Sequence, residues 1–179
     1  MTDDDALLAV LRAIQARGGI GESSLRRAVS HAEQYLRHVP ANAQTLVDLG
    51  SGGGLPGLVL AVRRADLTIT LVERRHSRAD LLLRAVATLD LAERVRVVAD
   101  DVRTIAVSCA RSFDVVTARS FAAPSITARW ASALLVTGGT LVVSEPPTDE
   151  PGRWPSSLLA SLGLLDQGRA QAVRTFLRL

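Results

Sequence analysis

The sequence predicts an α/β fold, a doubly wound and mostly parallel sheet with a short N-terminal helical segment ahead of it. Three observations carry this. Short apolar runs alternate with helical patterns from Thr45 to Ser144, a glycine loop (Gly50 to Gly54) directly follows the first run, and two amphipathic patterns precede Pro40. Such alternation builds βαβ units, whose crossovers place helices on both faces of a parallel sheet.

The elements follow in order. Asp3 to Arg17 sets Ala6, Leu7, Val10, Leu11 and Ile14 at helical spacing behind an acidic start that suits the helix dipole. Glu22 to Val39 repeats the pattern with Leu25, Ala28, Val29, Ala32, Tyr35 and Leu36, and Pro40 ends it. Gly18-Gly19-Ile20-Gly21 joins the two. Thr45 to Leu49 is a buried strand, followed by the glycine loop and a helix to about Arg64. Leu67 to Glu73 reads as strand and Ser77 to Leu89 as helix; Val95 to Val98 as strand, with a short helix over Val102 to Ala110. Phe113 to Thr117 is a strand, Ser125 to Leu135 a helix, and Thr140 to Ser144 a strand announced by Gly138-Gly139. In the tail, Trp154 to Leu162 has helical character and Ala172 to Leu179 some strand character.

With 179 residues, the chain has the size of one domain over 1–179, helices over 1–40 and an α/β core over 41–179. Its 47% hydrophobic and 22% charged residues exclude a disordered or coiled-coil chain. A lone cysteine, Cys109, leaves no internal disulfide and points to a reducing compartment. The acidic Met1-Thr2-Asp3-Asp4-Asp5 is unlike a signal peptide, and no apolar run has the length of a spanning helix. A cytoplasmic protein is the expectation. All 21 basic residues are arginine, yet the net charge is only +3, which allows a nucleic-acid partner without demanding one.

The loop after the first strand carries the functional reading. Ligands of open α/β sheets bind beyond the carboxyl ends of the strands. Gly52-Gly53-Gly54-Leu55-Pro56-Gly57 satisfies G-x-G-x-x-G, so a dinucleotide has to be weighed, although that pattern alone is weak. Asp48, two residues before Gly50, makes the segment D-x-G-x-G-x-G. Its carboxylate would repel a pyrophosphate and attract an ammonium group. S-adenosylmethionine carries an amino group and a sulfonium and has no phosphate. Glu73 ends the second strand, where a carboxylate can accept both ribose hydroxyls. Asp101 follows the third strand, where an adenine amino group needs an acceptor. Together they favour S-adenosylmethionine over NAD, with Asp48 on its amino-acid end. His31, His38 and His76 show no metal spacing, and no nucleophile has a visible base.

With these residues placed, the sequence resembles the class I, Rossmann-like methyltransferases and specifically the RsmG (glucose-inhibited division protein B) family. The match is strongest at Val47-Asp48-Leu49-Gly50-Ser51-Gly52-Gly53-Gly54-Leu55-Pro56-Gly57-Leu58, similar to V-D-[VI]-G-[ST]-G-x-G-L-P-G. Phe113 to Ala122 resembles the family's F-D-x-[VA]-x-S-R-A-[FV]-A. Glu73 with Ser77-Arg78 is similar to its acid and following basic pair, and His31 to Leu36 is a looser match to H-x-x-D-S-L. Where the family has Lys-Gly after its fifth strand, this chain has Glu145-Pro146.

The resemblance implies methylation of N7 of a guanine in 16S ribosomal RNA, bare or in the small subunit, with S-adenosylmethionine as methyl donor. It also implies a cofactor set of Asp48, Gly50, Ser51, Gly52, Gly54, Leu55 and Pro56 from the loop, with Glu73, Arg74, Asp101, Val102 and Arg119 from later strand ends. Arg119 falls on the family motif and is the candidate for positioning the acceptor, by a phosphate or guanine O6 contact. Arg74, Arg75 and Arg78 either meet RNA backbone or form a solvated loop. Trp130 reads as helix packing, and Trp154 as exposed in a loop from Glu145 to Pro155. A small-molecule methyltransferase and a non-catalytic S-adenosylmethionine-binding module remain open as alternatives.

Overall fold

The structure is a computed structural model that describes residues 2–21, 24–148 and 150–179. Among the described residues, seven strands form one sheet in the order β3-β2-β1-β4-β5-β7-β6. They are β1 (Thr45–Leu49), β2 (Thr68–Val72), β3 (Val95–Val98), β4 (Phe113–Ala118), β5 (Leu135–Ser144), β6 (Leu164–Ala170) and β7 (Val173–Arg178). The pairs from β3 through β5 are parallel, while β7 runs antiparallel to both β5 and β6.

Apolar residues on both sides of the central strands explain the layering. Leu46, Ile69, Leu71, Val115 and Val142 face α1 (Asp3–Gln15), α2 (Leu25–Glu33), α3 (Gly57–Arg63) and α4 (His76–Thr88). Alternate residues Val47, Val72, Val116, Leu141 and Val143 face α5 (Val102–Ser108), α6 (Pro124–Leu134) and α7 (Ser156–Ser161). A strand buried on both faces cannot show period-two alternation, and these runs are accordingly continuous.

Helix ends carry their own signals. Thr2 and Asp5 form a capping box that starts α1. Asp101 caps α5 by accepting from the Arg103 amide. The second helical pattern is shorter than its periodicity implies: α2 ends at Glu33 and tightens into a 3-10 turn, Gln34–His38, whose Tyr35 hydroxyl donates to the Ala118 carbonyl at 3.1 Å. Glu22, the start expected for that helix, lies outside the described residues.

Two further differences have physical causes. The fifth strand begins at Leu135 rather than Thr140, and Gly138-Gly139 sits inside it, Gly138 at φ +81°, near a register shift against β4. Strand β6 has no apolar alternation, since only Leu164 is buried, and it forms as the sheet's outer strand through its ladder to β7. Among the described residues, no helix is long and apolar enough to cross a membrane.

Candidate active site

The carboxyl ends of β1 to β4 open onto a cavity of about 500 Å³. Strand order reverses there, with β2 on one side of β1 and β4 on the other, the place where open sheets bind ligands. The cavity is walled by Gly50 after β1, Glu73, Arg74, Arg75 and Arg78 after β2, and Asp100 to Arg103 after β3. Ser120 to Ala122 after β4, with Ile126 and Trp130 of α6, complete it.

Glu73 is buried and ties two loops together. Its Oε2 accepts the Gly52 amide at 3.0 Å, and its Oε1 accepts the Arg75 amide at 2.9 Å. A carboxylate oxygen has two acceptor positions, so both oxygens retain capacity toward the cavity. Asp101 is committed to Arg103, whose amide and Nε each reach Oδ1 at 2.9 Å; the guanidinium holds its carboxyl below the usual range. Asp100, absent from the sequence-based set, also lines the cavity and accepts from the Asp101 amide and the Thr104 hydroxyl. The doublet Asp100-Asp101 was its only signal.

Of the glycine loop, Gly50 alone reaches the cavity wall. Its φ is +64°, and a Cβ there would come within 2.7 Å of the Phe121 ring. Ser51, Gly52, Gly54, Leu55 and Pro56 lie behind it and shape the turn. The Ser51 amide donates to Val72 O at 2.9 Å, and its hydroxyl to Asp48 O at 3.0 Å. The Gly54 amide donates to Ser51 O at 2.7 Å. Pro56 is the N-cap of α3.

The structure places Asp48 beneath the loop, 1% exposed, and not on the cavity wall. Its Oδ1 accepts the Thr117 hydroxyl at 2.7 Å, while Oδ2 is buried with no hydrogen-bond partner among the described residues. Burial pushes its carboxyl up to about 6, against the pull of the Thr117 hydroxyl. Gly57 packs on it so closely that a Cβ would stand 2.8 Å from Oδ2, which explains a glycine in the Leu-Pro-Gly segment.

Arg119 likewise does not line the cavity. It follows β4 on the side of the N-terminal helices, and its Nη1 is buried without a hydrogen-bond partner among the described residues. Burial, and secondarily the Arg119 charge, lower the His31 pKa below its usual value. Neither Asp114 nor Glu145 pairs with Arg119: Asp114 accepts from the Gln44 and Thr45 amides, and Glu145 faces Arg153 and Arg174.

Trp130, read as packing, does pack against the α5–α6 side of the core and also forms cavity wall. Trp154, expected to be exposed, is half-buried: its indole N–H donates to Glu145 Oε1 at 2.6 Å and its ring lies 4.7 Å from that of Phe176. A second cavity of about 230 Å³ shares Ser120, Phe121 and Ala122 with the first. Among the described residues, no group of three metal-ligating side chains comes together. The larger cavity thus offers three carboxylates as acceptors, a guanidinium rim suited to anions, and apolar walls.

A family model described as rRNA small subunit methyltransferase G matches residues 22–149. The chain belongs to that family. Ribosomal RNA small subunit methyltransferase G of Salinispora tropica is 50% identical over 102 residues, covering 55% of this chain and 42% of that protein. The protein of that name from Kineococcus radiotolerans is 40% identical over 132 residues, covering 72% and 48%. The chain therefore spans less than half the length of these relatives. An O-methyltransferase family protein from Burkholderia thailandensis superposes with a TM-score of 0.67 at 17% identity, covering 98% of this chain and 59% of that one. That likeness shows the Rossmann-like fold of class I methyltransferases.

Proposed function

We propose that this family member transfers the methyl group of S-adenosylmethionine to N7 of a guanine in 16S ribosomal RNA, in the cytoplasm. The observation that carries the reading is Glu73, a buried carboxylate on the wall of the strand-end cavity, bound to the glycine-loop amide of Gly52. Three carboxylates around one cavity suit a ribose diol, an amino group and a cationic centre. Membership in the rRNA small subunit methyltransferase G family supports the choice of acceptor.

In this reading Glu73 accepts the ribose hydroxyls, and Asp100 and Asp101 face the adenine amino group. Val102 and Trp130 supply apolar wall, and Arg74 closes the rim. Gly50 lets the backbone approach the cofactor. Asp48 acts from beneath, fixing the loop through Thr117 and Gly57. Bound S-adenosylmethionine supplies an electrophilic methyl group on a sulfonium. N7 of guanine has an available lone pair and no proton to lose, so alignment and exclusion of water do the work and no general base is required. Arg119 lines neither cavity, so the role assigned to it is to hold a phosphate of the acceptor outside them.

The test incubates the protein with methyl-labelled S-adenosylmethionine and 30S particles, bare 16S rRNA or a metabolite extract. Label in 16S rRNA at a guanine is the expected result. Label confined to the metabolite fraction overturns the RNA reading and favours a small-molecule acceptor; donor binding without any labelled product favours a binding module.

A further inference from the structure

The smaller cavity, beside the larger one at the ends of β4 and β5, holds a group that is not part of the larger cavity's wall. Glu145 lines it, and its side chain is fully buried. Oε1 accepts the Trp154 indole N–H at 2.6 Å. Among the described residues Oε2 has no hydrogen bond: Arg153 Nε stands 3.4 Å away outside hydrogen-bond geometry. Arg174 Nε lies 3.8 Å from Oε1. The two guanidiniums offset the carboxylate's charge and leave an acceptor position open. Buried acceptors without donors are costly, and such an exception calls for a reason.

We infer that Glu145 reads the Watson–Crick edge of the acceptor guanine in this second cavity. The inference rests on the proposed methyl transfer to guanine and names the residue that selects the base. Enzymes that modify a base take it out of the stack and read that edge by hydrogen bonds, with apolar side chains against its faces. An ionised carboxylate only accepts. Among the four RNA bases, guanine alone offers two adjacent N–H donors on that edge, at N1 and N2. Its N7 lies on the opposite edge. A guanine held by Glu145 therefore keeps N7 free to face the cofactor cavity across the shared wall of Ser120, Phe121 and Ala122. Phe121 and Trp154 supply apolar surface for the base. The acid at position 145, where the resembling family has lysine, becomes a recognition group in this chain.

The test measures methylation of 16S rRNA in the presence of guanosine or inosine as competing nucleosides. Inosine keeps O6, N1–H and N7 and lacks only the N2 amine. With the parent protein, guanosine should inhibit at concentrations about tenfold below inosine, the scale of one lost hydrogen bond to a charged group. In Glu145→Gln that ratio should fall to within about twofold while S-adenosylmethionine affinity is unchanged, because an amide replaces part of the acceptor with a donor. A purely structural Glu145 would lower stability and leave the ratio intact. Equal behaviour of the two nucleosides toward the parent overturns the inference without need of any variant, and so does an undiminished ratio in folded Glu145→Gln. Failure of the parent to label 16S rRNA at all is a different result, and it overturns the methyl-transfer reading beneath.

Discussion

Asp48 and Thr117 stand opposite each other on neighbouring parallel strands and share a 2.7 Å hydrogen bond across the floor of the glycine loop. The pair joins β1 to β4 at the point where strand order reverses, so it sets the spacing of the two strand ends that flank the cavity. Asp48 is thereby a support for the loop, buried beneath it and off the cavity wall.

The pH dependence of stability follows. The folded-state pKa of Asp48 is raised to about 6 from an ordinary value of 3.8, chiefly by burial. The folded protein thus binds the proton more tightly than the unfolded chain. The associated stability is fully present below about pH 4 and is lost as pH rises through 6. Two pKa units correspond to about 3 kcal/mol. Asp48→Asn should flatten the stability profile between pH 4 and 6 and raise stability at pH 7 by about 1–3 kcal/mol. Urea unfolding of parent and variant across that range checks it; parallel profiles would refute the assignment.

Glu73 and Asp48 separate cleanly in a binding measurement. Glu73 lines the cavity and also accepts two backbone amides, so Glu73→Gln should weaken S-adenosylmethionine binding by about 1–3 kcal/mol in calorimetry. Asp48→Asn, beneath the wall, should cost less than half of that. A larger effect at Asp48 would return it to direct contact with the donor.

The candidate site was legible where chemistry sits on strand ends, because the apolar runs fixed those ends: Glu73 and Asp101 both lie on the cavity wall. Asp48 carries the same kind of signal, but its side chain points to the sheet face covered by α3, and facing was not resolved from a strand buried on both sides. Arg119 is turned toward the N-terminal helices for the same reason. Trp130 and Trp154 depended on which helix or loop meets the cavity, a tertiary property. Strand β6 had no apolar pattern to read, since pairing with β7 supplies its structure.

Gly50 is predicted to tolerate no side chain. At φ +64° any Cβ is strained, and here it would also press on Phe121 at 2.7 Å. Gly50→Ala should destabilise the protein by about 1–2 kcal/mol. Phe121→Ala removes the clash but not the backbone strain, so the double variant should be more stable than the two single effects summed. A double-mutant cycle by chemical denaturation measures the coupling, and strict additivity would show that the ring moves aside freely.

Arg119 allows a test that separates position from role. It lines neither cavity, so Arg119→Ala should leave S-adenosylmethionine affinity within about 1 kcal/mol of the parent. Methyl transfer to 16S rRNA should fall severely if the residue grips the acceptor, and Arg119→Lys should recover little where a planar two-point contact is needed. An independent readout is available from His31, whose pKa is lowered by burial first and by the Arg119 charge second. Removing the charge should raise the His31 titration midpoint in proton NMR, but not to the ordinary 6.5, because burial persists. A raised His31 midpoint with full rRNA methylation would confirm the placement of Arg119 and discard its acceptor role. An unmoved midpoint would show that the guanidinium lies elsewhere in solution.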